Sequence, residues 1–204
     1  MSLPRISKSS ITRFMQIVLL GMFAVGVYTR TPKIIINSGV GLFISFIPAL
    51  LERDYSFSLS PFLSLWITSA VFFHSLGSFG LYSAVSWWDH LTHSLSASLV
   101  AAAGYTLIRS IDLHSDDIRL PDRFMFVFIL MTVVAFGVFW ELFEFALDLV
   151  SNLTGVSMPL AQHGLQDTMK DMSFNLVGAV IAAVFGQAYL SNLSERIQEH
   201  FGLE

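Results

Sequence analysis

Three short stretches place acids and histidines at helical spacing: WDHLTH at residues 88–93, WELFEFALD at 140–148 and QDTMKD at 166–171. Asp89 precedes His93 by four residues, Glu141 precedes Glu144 by three and Asp148 by seven, and Asp167 precedes Asp171 by four and Asn175 by eight. Residues three, four or seven apart share a helix face, so each stretch presents a polar stripe. Asp89, Glu141, Glu144, Asp148, Asp167 and Asp171 are six carboxylates, and Lys170 is the one Lys or Arg between residues 124 and 190. Like charges gathered where water is scarce must be protonated, paired or metal-bound. With histidine among them, the inventory suits a divalent cation, and the absence of cysteine leaves it nitrogen and oxygen ligands only, which keeps Zn, Mg, Mn and Fe open. The expected metal ligands are His93, Glu141, Glu144, Asp167 and Asp171, with His74 as a further candidate, and Asp89 is the expected general base.

Plainer roles compete for single residues. Asp89 and Asp167 also suit helix N-caps. Asp148 reads best as a headgroup or water contact, and His90 as interfacial. Trp87 and Trp88 read as interface anchors. His74, in FFHSLGSFG, is equally a histidine bonded to a neighbouring carbonyl or hydroxyl, and Gly77 and Gly80 beyond it let the helix approach its neighbours or bend. Capping does not explain three stripes together.

The elements that must position these groups are membrane helices. The 204 residues are 54% hydrophobic and 13% charged, against about 25% charged in a soluble domain. Six apolar runs, at residues 14–29, 34–50, 62–84, 90–111, 124–148 and 169–190, approach the ~20 residues that cross a bilayer as a helix. The expected fold is therefore all-α, one polytopic domain over residues 1–204 with six transmembrane helices, in contact with membrane lipids. A net charge of −4 provides no basic surface for nucleic acid. Basic residues mark cytoplasmic loops. Arg5, Lys8, Arg13, Arg53, Arg109, Arg119, Arg123 and Arg196 fall on one side and Arg30, Lys33 and Lys170 on the other, so both termini are expected in the cytoplasm of a multi-pass cell-membrane protein. That orientation puts all three stripes in the outer half of the bilayer. Each stripe then turns small: Ala97 and Ala101 follow His93, Gly137 lies one turn from Glu141, and Gly178, Ala182 and Gly186 follow Asn175. Small residues let membrane helices pack closely, so the acids are expected to face the bundle interior.

WDHLTH, WELFEF and GLQDTMKDM, in that order on the last three runs, resemble the motifs of the YjdF-type inner-membrane proteins, a six-helix family. The likeness covers mainly residues 70 to 180. It maps an Asp-Lys-x-x-His motif onto Asp89 and His93, a Glu-x-x-Glu onto Glu141 and Glu144, and an Asp-Thr-x-x-Asp-Met onto Asp167, Thr168, Asp171 and Met172, with His74 matching a histidine of the preceding helix. His90 stands where that motif has lysine, which removes a fixed positive charge. A fainter likeness to VanZ-type membrane proteins lies in the shared order of acid-histidine, acid and acid-asparagine. The resemblance implies the site and names no reaction.

Two functions fit the pattern. In a membrane-embedded hydrolase, the ligands would hold one or two divalent ions that acidify a water for attack on a lipid or lipid-linked substrate, with Asp89 taking the proton. In a transporter or channel for divalent cations or protons, the same acids would load and unload. The inner halves of the fourth, fifth and sixth runs carry no acid, which favours the enzyme. A structural metal that ties helices together is the third alternative. The sequence does not fix an oligomeric state.

Overall fold

The computed structural model describes residues 7–114, 120–155 and 164–201, apart from the side chains of 113–114, 122 and 185–201. Arg5, Arg119 and the side chain of Arg196 thus lie outside the described residues. The described chain is helical throughout: α1 (Lys8–Thr29), α2 (Pro32–Tyr55), α3 (Pro61–Leu76), a π-helical turn (Gly77–Leu81), α4 (Tyr82–Ala84), α5 (Trp88–His114), α6 (Asp122–Thr154) and α7 (Leu165–Phe201). No strand occurs among the described residues. Five segments, Lys8–Thr29, Pro32–Tyr55, Pro61–Ala84, Trp88–Asp112 and Arg123–Thr154, are long and apolar enough to cross a membrane, and the sixth expected run falls within α7.

Local chemistry explains the helix starts. Ser7 and Ser60 cap α1 and α3, their hydroxyls accepting the N–H groups of Ser10 at 3.1 Å and Leu63 at 3.2 Å. Pro32 and Pro61 take first-turn positions, where a missing N–H removes no helical bond. Large apolar side chains such as Phe14, Ile17 and Leu20 on α1 and Phe139, Leu142 and Phe145 on α6 are exposed. Exposure on that scale is foreign to soluble monomers and is what helices solvated by lipid present. The third run differs from an unbroken helix: a π turn interrupts it, and Gly80 has φ 144°, outside any helical conformation.

The chain forms two compact units. The first comprises Met1–Thr92 and Leu147–Ala161. In it α1, α2 and α3 pack on one another through polar contacts of the kind membrane helices use. Gln16 Nε2 donates to Ser45 O at 3.0 Å, and Ser75 Oγ donates to Asn37 O at 3.1 Å in the space left by Gly41.

The second unit comprises His93–Ala146 and Gln162–Glu204. Its three helices approach at glycines. Gly104 of α5 faces Thr132 of α6, Gly137 of α6 faces Met172 and Asn175 of α7, and Gly178 of α7 lies against the backbone of Ser94 on α5. Ala97, Ala101, Ala179 and Ala182 are buried along the same faces. Ser94 Oγ also donates to Phe174 O at 3.0 Å.

Candidate metal centre

Close packing at Gly178 brings His93 of α5 onto α7. His93 Nδ1 lies 3.3 Å from Asn175 Oδ1 and Nε2 lies 3.8 Å from Asp171 Oδ1. The Asn175 contact engages Nδ1 and leaves Nε2 as the ring nitrogen that faces Asp171. The separation of 3.8 Å exceeds an N–H···O bond. It is close to the roughly 3–3.5 Å that separates two ligands bonded at about 2.1 Å to one ion. Asp171 is buried to 2% exposure.

Asp89 precedes His93 by one turn of α5, so the helix carries its carboxylate on the same face. Within the second unit, His93 and Asp171 each offer a ligand atom. Glu141 of α6 is a further buried carboxylate, one turn after Gly137, the residue that meets Met172 and Asn175 of α7. Glu141 is 5% exposed, and its Oε1 has no hydrogen-bond partner among the described residues. A carboxylate oxygen buried without a partner is costly unless a further group, such as a cation, meets it.

The other expected ligands do not join His93 and Asp171. Glu144 Oε1 accepts from Trp140 Nε1 at 2.9 Å on the outward side of α6. Asp167 occupies the first turn of α7, half-buried. His74 Nδ1 lies 2.7 Å from Tyr82 Oη. Asp148 Oδ2 accepts from Asn152 Nδ2 at 3.2 Å, and Trp88 Nε1 donates to Phe73 O at 3.0 Å while Trp87 is exposed. Asn175 was visible as the end of a stripe, and its role in orienting His93 follows from the helix contact. Tyr82 and Thr92 gave no signal in the sequence, because a tyrosine beside a polar turn is common at a membrane interface.

Fold and site together define a polytopic helical membrane protein with a buried acid-histidine group. Residues 11–192 match the family described as predicted membrane protein (DUF2238), and the chain belongs to that family. It is also 27% identical over 172 residues to a protein of Thermotoga maritima described as uncharacterized, spanning 81% of this chain and 85% of the relative. No solved structure matches the chain.

Proposed function

We propose that His93, Asp171 and Glu141, with Asp89 beside them, form a divalent-cation site in the outer half of the cell membrane, and that the protein is a metal-dependent hydrolase of a lipid or lipid-linked substrate. The observation that carries this reading is the buried approach of His93 Nε2 to Asp171 Oδ1, 3.8 Å apart. The buried Glu141 oxygen with no hydrogen-bond partner among the described residues supports it. A bound divalent cation would polarise a scissile ester or phosphate oxygen and acidify a water. His93, held by Asn175 through Nδ1, would offer Nε2, and Asp171 and Glu141 would supply the negative charge that a dication needs. Asp89, in the first turn of α5, is the carboxylate placed to take the proton of an attacking water. The orientation, with both termini cytoplasmic, follows from the distribution of Lys and Arg.

The test is elemental analysis of the purified protein followed by assays on it. Asp171→Ala and Glu141→Ala are expected to lose the metal. Asp89→Asn is expected to retain it and to abolish turnover on a panel of phospholipids and lipid pyrophosphates. Cation flux into proteoliposomes that depends on Glu141 and Asp171, with no hydrolysis on that panel, would replace the hydrolase by a transporter. A wild type that binds no metal and ignores chelator refutes the cation site itself.

A further inference from the structure

The segment HSLGSFGLY, residues 74–82, folds back on itself. Eight residues of straight α-helix span about 12 Å, yet Tyr82 Oη lies 2.7 Å from His74 Nδ1. Two glycines make that return possible. Gly80, at φ 144°, turns the chain out of the helix in a conformation that side chains with a Cβ rarely adopt. Gly77 leaves the space in which the Tyr82 ring lies, since a Cβ there would collide with the ring carbons. The π turn that contains both is a form that recurs at functional sites.

The returned tyrosine reaches α5. Tyr82 Oη donates to Thr92 Oγ1 at 3.3 Å, and Thr92 Oγ1 donates to Asp89 O at 2.8 Å. One residue before Asp89, Trp88 Nε1 donates to Phe73 O at 3.0 Å, and its ring meets Phe73 edge-on. The turn of α5 that carries Asp89 is therefore held at both ends by α3 and the segment that follows it. Thr92 is 2% exposed, so water does not substitute for Tyr82 at that hydroxyl.

We propose that Tyr82, seated on Gly77 and bonded to His74, is a positioning residue for the first turn of α5, acting through Thr92 on Asp89 and on the ligand His93 that follows it, and that His74 serves as its anchor and not as a metal ligand. The inference rests on the cation-site reading. It gives Gly77, Gly80, His74 and Thr92 one shared role, which is to fix the azimuth and height of the first turn of α5. Groups that orient a metal ligand change affinity about 10- to 100-fold when removed, although they never touch the ion, and Thr92 directly precedes His93.

The test is titration of full-length protein in nanodiscs with Mn²⁺, followed by electron paramagnetic resonance, with thermal unfolding in chelator run alongside. Tyr82→Phe and Thr92→Val are each expected to weaken Mn²⁺ binding about 10-fold or more with unchanged stoichiometry. The double variant should be no weaker than the worse single one, because both break one chain of bonds. Thr92→Ser keeps the hydroxyl and is expected to bind within about twofold of the wild type. Lower melting temperatures with unchanged Mn²⁺ affinity in Tyr82→Phe and Thr92→Val would mean a purely structural role and overturn the proposal. If Tyr82→Phe fails to fold, Thr92→Val and its serine counterpart decide alone. Absence of Mn²⁺ binding by the wild type refutes the underlying site, an outcome distinct from a wild type that binds and variants that bind as well.

Discussion

Replacing Gly178 by alanine tests the helix contact on which the site depends. A Cβ at Gly178 would lie 2.9 Å from the carbonyl carbon and 3.0 Å from the Cα of Ser94, and closer still to its carbonyl oxygen. Carbon atoms rest at about 3.5–4.0 Å, so α5 and α7 would have to separate by roughly 1 Å, and neither backbone can yield as a flexible side chain would. Overpacking of this kind costs about 1–3 kcal/mol. The separation would also stretch the Ser94–Phe174 hydrogen bond, now 3.0 Å, which in membrane proteins is worth roughly 0.6 kcal/mol. The expected loss is about 2–4 kcal/mol, read as a shift in reversible unfolding by dodecyl sulfate in bicelles. Because the same movement pulls His93 from Asn175 and Asp171, metal affinity should fall with it. Gly21→Ala is the control, since nothing lies within 4 Å of a Cβ there, and it should be neutral or slightly stabilising. A Gly178→Ala protein with wild-type stability and metal binding would refute the close approach of α5 and α7.

Other outcomes follow from the same geometry. Glu141→Leu should lose the metal yet raise stability in chelator by about 1–4 kcal/mol, because an apolar side chain replaces a buried carboxylate; a loss of stability in chelator contradicts the placement of Glu141. Asn175→Leu removes the acceptor that orients His93 and should weaken metal binding about 10- to 100-fold, checked by the same Mn²⁺ titration. Asp148→Ala breaks one exposed bond to Asn152 and should change neither metal content nor stability by more than about 0.5 kcal/mol. A cysteine at Asn152 should react with impermeant reagent added outside the cell, and labelling from the cytoplasmic side alone would reverse the proposed orientation.

The sequence by itself determined the helices and their inward faces. Apolar runs of bilayer length have few alternatives to helix, and four-residue steps such as Asp89–His93 and Asp171–Asn175 fix which side chains share a face without reference to any neighbour. The small residues after His93 and Asn175 likewise marked the packed sides. Which acids meet was a matter for tertiary structure alone. Glu141 and Glu144 are three residues apart, about 60° from each other around the helix, and only the azimuth of α6, whose Gly137 meets Met172 and Asn175, buries the first while the second bonds to Trp140. Tertiary structure also decided the fate of His74. A glycine tolerates helix and non-helix alike, so Gly80 gave no warning of φ 144°, and that one turn delivers Tyr82 to His74 and onward to Thr92. Periodicity is a local property carried by each helix, whereas the rotation and register of one helix against the next depend on where two backbones can touch.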